Sequence, residues 1–363
     1  MGEIVLLSNY GLDSDGGGVK VYTQNLTKAL REKNTKVFLL IRKGTPTEIE
    51  VKLPKNKILY VAKAVKKLNE TCPKFVLSQG GWFTAIPAML YKMKHPETKI
   101  IHLYHTHYDP PRATKQKIIR IIERYLMSFV LSRFDWVLFV SRGLRKNVED
   151  VGALRVLPQW GVLYGAPIVT FPTTEEVEEF KRKFNIQKDS PYILGLGLTA
   201  LPGKVRGAKL LIDSLTLLPK NVRLILTRKG RFVNELRRYA KSKGLASRVI
   251  FTGDLKNPHV ATLIADIYTH ISYGEGLPLA LLEVMSIGKP IVASKVTGIP
   301  EAVKHPLESI LVENDASQVT SAVASLLENP KLRRKMSVIS KRAVNKRFSW
   351  EKTARKLIYY FSQ

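Results

Sequence analysis

Along this chain short apolar runs alternate with segments whose apolar residues recur at helical spacing, and the alternation begins twice. The first series runs EIVLLS, VYTQNLTKALREK, KVFLLI; the second runs YILGLG, AKLLIDSLTLL, VRLILT. A strand of consecutive Val, Ile and Leu is apolar on both faces, so it fits a parallel sheet covered on both sides by amphipathic helices. The pattern predicts an α/β chain of two doubly wound, Rossmann-like domains facing across a cleft. At 363 residues the chain also exceeds what one core usually organises. The charged stretch TTEEVEEFKRKFNIQKDS ahead of the second start reads as an exposed linker helix. We therefore expect a first domain over 1–168, a linker over 169–190 and a second domain over 191–346. In open sheets of this kind ligands gather outside the carboxyl ends of the strands, which makes the loops after the strands the places to search.

The charge narrows the partners only coarsely. Lys and Arg number 59 against 30 Asp and Glu, a formal net charge of +29. Such a field attracts phosphates on nucleotides, nucleic acid or anionic lipids without choosing among them. Cys72 is the sole cysteine, which excludes an intramolecular disulfide and a cysteine-based zinc site and points to a reducing, cytoplasmic setting. The opening MGEIVLLSNYG lacks the basic leader of a signal peptide, and no run reaches the roughly 18 apolar residues of a membrane span, so any membrane contact is expected to be peripheral. In KQKIIRIIERYLMSFVLSRF, Lys115 to Phe134, a stripe of Ile118, Ile121, Ile122, Tyr125 and Phe129 has Lys117, Arg120 and Arg124 beside it. The expectation is a helix packed on the first sheet; a helix lying on an anionic membrane is the second reading, and a basic face that meets lipid is compatible with the first. KLRRKMSVISKRAVNKRF reads as a solvated basic face, and no module with interleaved aromatics suggests nucleic acid.

Four loops carry residues suited to chemistry. DSDGGGVKVY places Gly17 and Gly18 between a strand and a helix, where backbone amides can approach a phosphate or sugar. Its Asp13 and Asp15 form a pair able to hold a divalent metal, although an Asp- and Gly-rich turn is the expectation. YHTHYDPP repeats His105, His107 and Asp109 at period two, similar to a His-x-His-x-Asp-His metal cluster, but Pro110 stands where the next histidine would be. No metal is expected there; His105, at the end of a strand, is suited to hydrogen-bonding a substrate hydroxyl or moving a proton. GLGLTALPGKVRGAKLL sets Lys204 and Arg206 beside glycines ahead of a helix, which suits a diphosphate, and Arg228 ends the next strand. GEGLPLALLE puts Glu275 in a loop and Glu283 about one and a half turns inside the helix that follows, with amides around Gly276 and Leu277 available to an anion.

Together these blocks resemble the retaining glycosyltransferases of the GT-B fold, in particular family four. The Glu-x7-Glu motif, Glu275 to Glu283, is followed by SIGKPIVASKVTGIPEAV; GGGVKVYTQNLTKAL, HLYHTH, DWVLFVSRGLRKNV and PQWGV extend the likeness. FSWEKTARKLIYYF is similar to the helix that returns to the first domain, here 347–363. The resemblance implies transfer of a sugar from a nucleotide-sugar donor to a hydroxyl of a glycan, a lipid or a lipid-linked saccharide, without metal or other cofactor. It also implies residence at the inner face of a membrane if the acceptor is a lipid. Glu275 would touch hydroxyls of the donor sugar, Glu283 the ribose, and the amides near Gly276 and Leu277 the sugar or diphosphate. His105 would stand near the reacting carbon, Gly17 and Gly18 would face donor and acceptor, and Arg206 before Gly207 would replace the family's lysine. One slot departs: Leu198 stands where the family has an arginine for the leaving diphosphate, so Lys204 or Arg228 is expected to supply that charge, or else the donor is not an ordinary nucleoside diphosphate sugar. The competing readings are a sugar-nucleotide epimerase of the same fold, a metal-dependent hydrolase using His105, His107 and Asp109, and a basic polynucleotide-binding protein.

Overall fold

The structure, a computed structural model, describes residues 3–14, 17–109, 114–152, 154, 159–200 and 202–363. In chain order the first part holds β1 (Ile4–Tyr10), α1 (Gly17–Arg31), β2 (Val37–Lys43), β3 (Glu50–Lys52), α2 (Lys57–Thr71), β4 (Phe75–Gln79), α3 (Trp82–Lys94), β5 (Lys99–Tyr104), α4 (Thr114–Leu131), β6 (Trp136–Phe139), α5 (Arg142–Asp150) and β7 (Trp160–Val162). The second holds α6 (Thr174–Lys183), β8 (Tyr192–Gly195), α7 (Pro202–Thr216), β9 (Arg223–Thr227), α8 (Val233–Ser242), β10 (Val249–Gly253), α9 (His259–Ile264), β11 (Ile267–His270), α10 (Leu279–Ile287), β12 (Ile291–Ser294), α11 (Ile299–Ala302), β13 (Ile310–Val312), α12 (Ala316–Glu328) and α13 (Pro330–Arg347); α14 (Trp350–Ser362) ends the chain.

Two compact units result, one of residues 1–166 and 348–363, the other of 167–347. The stretch 169–190 clusters with the second unit, and its helix α6 is opened by a capping box in which Thr173 and Glu176 satisfy each other's backbone amides. In the first unit α14 lies against α1, where Trp350 meets Tyr22 edge-on with ring centroids 5.0 Å apart and Thr353 donates to the Tyr164 carbonyl at 2.8 Å.

Both sheets are parallel throughout, with orders β3-β2-β1-β4-β5-β6-β7 and β10-β9-β8-β11-β12-β13. The four consecutive residues Ile4 to Leu7 are wholly buried, the burial on both faces that an unbroken apolar strand requires. In each sheet the winding reverses between two central strands, β1 and β4 in the first unit and β8 and β11 in the second. Such a reversal is where open sheets of this kind usually take a ligand, outside the carboxyl ends of the strands.

One expectation fails in the first unit. The stripe of α4 does not pack on the sheet: Ile118, Ile121, Ile122, Tyr125 and Phe129 are each more than half exposed, and the helix instead buries Met127, Val130 and Leu131. Arg120 and Arg124, not its isoleucines, face the unit.

Candidate active site

In the second unit the two loops beside the winding reversal bring Lys204 and Glu275 together. Lys204 belongs to the first turn of α7, after β8, and Glu275 to the loop after β11. The Lys204 ammonium pairs directly with Glu275 Oε1. The approach depends on Gly207: a Cβ there would overlap the carbonyl of Ile271, so only glycine lets α7 lie this close to the end of β11. Lys204 is three residues before Gly207 and hence on the same face of the helix, which aims its side chain at the loop.

Glu275 has a second partner in His270, the last residue of β11, whose Nε2 donates to Oε1 at 3.0 Å. The other ring nitrogen, Nδ1, lies 2.6 Å from the Tyr268 hydroxyl, which donates to it when the neutral ring carries its proton on Nε2. Burial lowers the affinity of His270 for a second proton, and its hydrogen bond to Glu275 only partly opposes that. For Glu275 burial pushes the carboxyl up, but the Lys204 charge and the His270 hydrogen bond outweigh it and hold the group well below the usual carboxylate range. The carboxylate is therefore ionised, largely buried and fixed from two sides.

The loop around it is equally constrained. Ser272 N–H donates to Ser294 Oγ at 3.0 Å, Ser294 Oγ donates to Asn314 at 2.6 Å, and Asn314 Nδ2 donates back to the Ser272 carbonyl at 3.0 Å. The Gly298 amide donates to the Glu275 carbonyl at 3.3 Å. A closed ring of buried polar groups holds geometry that a lone surface loop would lose. Gly276 and Leu277 are buried beside it, and no side chain caps the N-terminus of α10, which leaves the positive end of the helix dipole beside this loop.

Glu283 stands on the fifth residue of α10 and lines a separate recess of about 260 Å³ shared with Gly197, Thr227, Arg228, Leu255 and His259. His259 opens α9; its Nε2 lies 3.6 Å from Glu283 Oε2. Arg228 reaches the recess because its backbone adopts φ +80° while its amide donates to the Gly253 carbonyl at 2.7 Å. A larger recess of about 600 Å³ lies at the amino ends of β11 and β12; of its cations Lys289, Arg333 and Arg334, the first two donate to main-chain carbonyls.

The remaining basic candidates behave differently from Lys204. Arg206 is exposed and lies 3.7 Å over the Tyr273 ring, so it flanks the loop without entering the ion pair. Leu198 is buried in the core, and the slot supplies no charge.

In the first unit His105 follows β5 and shares its Nε2 with Gln79 Oε1 at 2.7 Å, while Thr23 donates to the same oxygen at 3.1 Å. Tyr22 meets the imidazole edge-on at 4.6 Å. Burial, and secondarily the neighbouring His102, drives the His105 pKa down to about 3, so the ring is neutral. His107 pairs instead with Asp109 at 3.4 Å, and among the described residues no three His, Cys, Asp or Glu gather into a metal-binding group. Gly17 opens α1 with φ +60°, and Gly18 faces open space. Asp15, the partner of Asp13 in the acidic pair, lies outside the described residues.

Sequence patterning had not singled out Tyr268, His270, Tyr273 or His259. Tyr268 and His270 do carry a signal, since they alternate at period two and so share one face of β11. His259 carries none, because α9 is short and its approach to Glu283 is tertiary.

Residues 176–343 match the family model described as glycosyl transferases group 1, and residues 16–159 match glycosyltransferase family 4. The chain belongs to the GT-B glycosyltransferases. It is similar to an uncharacterised glycosyltransferase of Methanocaldococcus jannaschii, 25% identical over 75% of this chain and 70% of that protein. It is also similar to the N,N'-diacetylbacillosaminyl-diphospho-undecaprenol alpha-1,3-N-acetylgalactosaminyltransferase of Campylobacter jejuni, 22% identical over 89% of this chain and 90% of the other. Among solved structures, HepE of Anabaena in complex with UDP-glucose superposes with a TM-score of 0.82 at 17% identity, covering 99% of each chain. Sucrose-phosphate synthase of Thermosynechococcus elongatus superposes at 0.78 and 19% identity, over 100% of this chain and 99% of that one. At these identities the superpositions establish the fold of this glycosyltransferase and not its substrates.

Proposed function

We propose that this glycosyltransferase moves a sugar from a nucleotide-sugar donor to a hydroxyl of a glycan, lipid or lipid-linked acceptor, with retention at the anomeric carbon and without a resident metal. The observation that carries the proposal is the Glu275 array: an ionised, largely buried carboxylate held by Lys204 and His270 ahead of α10, on which Glu283 lines a separate recess. A carboxylate so fixed is an acceptor for sugar hydroxyls, and Glu283 is an acceptor for ribose hydroxyls. The relatives' printed activities and the UDP-glucose in the HepE structure support a donor of this class.

Breaking the bond between sugar and diphosphate builds positive charge on the sugar and negative charge on the leaving phosphate. The buried carboxylate lies where it can face the first, and Lys204, Arg206 and the open end of α10 supply charge and amides for the second. On this reading Lys204 serves both groups, and it offsets the missing charge at Leu198. Neutral His105, fixed by Gln79, is a donor or acceptor for a substrate hydroxyl. Gly17 and Gly18 admit backbone close to substrate. Cytoplasmic, peripheral residence at an anionic membrane face belongs to the same reading where the acceptor is a lipid.

The test is incubation of the full chain with nucleotide sugars and hydroxyl acceptors, with the product's anomeric configuration read by proton NMR, with and without chelator. The expected product keeps the donor's configuration and forms in chelator; an inverted product or full loss with chelator overturns the proposal.

A further inference from the structure

Helix α4 turns Arg120 and Arg124 toward the protein and its isoleucines toward solvent. Arg120 lies 4.5 Å over the Tyr108 ring and donates to the Asp109 carbonyl at 3.4 Å, and Arg124 lies against Gly152. The opposite side presents Ile118, Ile119, Ile121, Ile122, Tyr125, Leu126 and Phe129, each between 36% and 61% exposed. At 100° per residue these seven fill one continuous arc of about 160° that contains no acidic residue. Leu90 and Met93 are exposed on α3, which packs beside α4. Soluble monomers rarely leave so large a contiguous apolar face in water, so this one has an occupant.

Charge selects the occupant. Lys115 and Lys117 open the helix, and Arg133 follows it with its guanidinium 3.8 Å over the Phe129 ring. The whole chain carries +29, so a second copy brought to this face meets strong repulsion and no acidic complement. An anionic bilayer supplies an apolar interior and the opposite charge at once. No helix among the described residues is long and apolar enough to cross a membrane, so α4 would lie in the interface plane.

We propose that α4 is a membrane-docking helix, seated with its isoleucine face at the boundary of headgroups and acyl chains of an anionic bilayer and with Lys117 and Arg133 among the headgroups. This rests on the peripheral-membrane part of the reading above and names the surface responsible.

The test is co-sedimentation of the full chain with vesicles of phosphatidylcholine alone or mixed with phosphatidylglycerol. It is run beside Ile118→Ser/Ile122→Ser and Phe129→Glu, with thermal unfolding and nucleotide-sugar stabilisation measured on each. The wild type is expected to partition at least tenfold more onto the anionic vesicles. Each variant is expected to lose at least tenfold of that binding while keeping its unfolding midpoint and its nucleotide-sugar stabilisation, because the altered side chains stand in solvent. Wild type that ignores anionic vesicles, or variants that bind them equally well, overturns the proposal. So does a lipid-free dimer of the wild type that the variants dissolve, since a second copy would then cover the face. Vesicle binding that persists in a protein stabilised by no nucleotide sugar supports the docking helix and counts against the transferase reading alone.

Discussion

Removing the Lys204 charge with Lys204→Met leaves Glu275 largely buried with His270 as its remaining partner. At an effective dielectric of about 20, two opposite charges about 4 Å apart attract by about 4 kcal/mol, and removal of both from water consumes part of that. Breaking a fully buried pair costs about 3–5 kcal/mol; the side chains here are 23% and 13% exposed, so the expected loss is about 2–3 kcal/mol. Glu275→Gln strands the ammonium instead and is expected to cost about 2 kcal/mol, less because Lys204 keeps more water. The double variant contains no stranded charge and is expected to lose about 2 kcal/mol less than the two single losses added together. Urea unfolding of the four proteins at pH 7 reads these values, with unchanged m-values as the check that only stability has moved. A coupling within about 0.5 kcal/mol of additivity, the range of independent sites, would refute the ion pair as the element that organises this loop.

Other consequences follow from the same geometry. Gly207→Ala drives a methyl into the Ile271 carbonyl and is expected to cost about 1–3 kcal/mol in urea unfolding and to weaken nucleotide-sugar binding, because α7 must back away with Lys204; an unchanged midpoint would contradict the close approach. Ser294→Ala leaves Asn314 and the Ser272 amide short of a partner and is expected to cost about 1–3 kcal/mol and lower kcat. His102 is wholly buried and its pKa is driven by burial from 6.5 to about 3, so the unfolded chain binds a proton that the folded chain refuses between those values. Stability is therefore full above pH 6.5 and falls on acidification, by about 1.4 kcal/mol per pH unit for this group, and urea unfolding of wild type against His102→Asn at pH 7 and pH 5 reads the difference. Glu275 has the same sign lower down: its depressed carboxyl stabilises above the ordinary carboxylate range, and that contribution is lost as pH falls through it.

How much was legible in the sequence differs by level. Unbroken apolar runs such as IVLL are apolar on both faces and so announce a covered parallel sheet. Glu275 and Glu283 could be assigned to a loop and a helix because Pro278 and the preceding glycines mark where the helix begins. The meeting of Lys204 with Glu275 could not be read along the chain, since it arises from the adjacency of β8 and β11 and from a glycine whose only mark in sequence is the absence of a side chain. Likewise the amphipathic period of α4 was legible, but which face turns inward was not. A helical pattern says that two faces differ, and only the packing of Arg120 on Tyr108 says which one the unit takes.

The central claim is that Glu275 receives the sugar and Glu283 the nucleotide. Isothermal titration of a nucleoside diphosphate and of its sugar derivative into wild type, Glu275→Gln and Glu283→Gln tests it most directly. The account predicts that Glu283→Gln weakens both ligands, whereas Glu275→Gln leaves the nucleoside diphosphate within a factor of about 3 and weakens the sugar derivative by about tenfold, the loss of one charge-assisted hydrogen bond. Equal weakening of both ligands by Glu275→Gln, or no effect of either substitution, would contradict it.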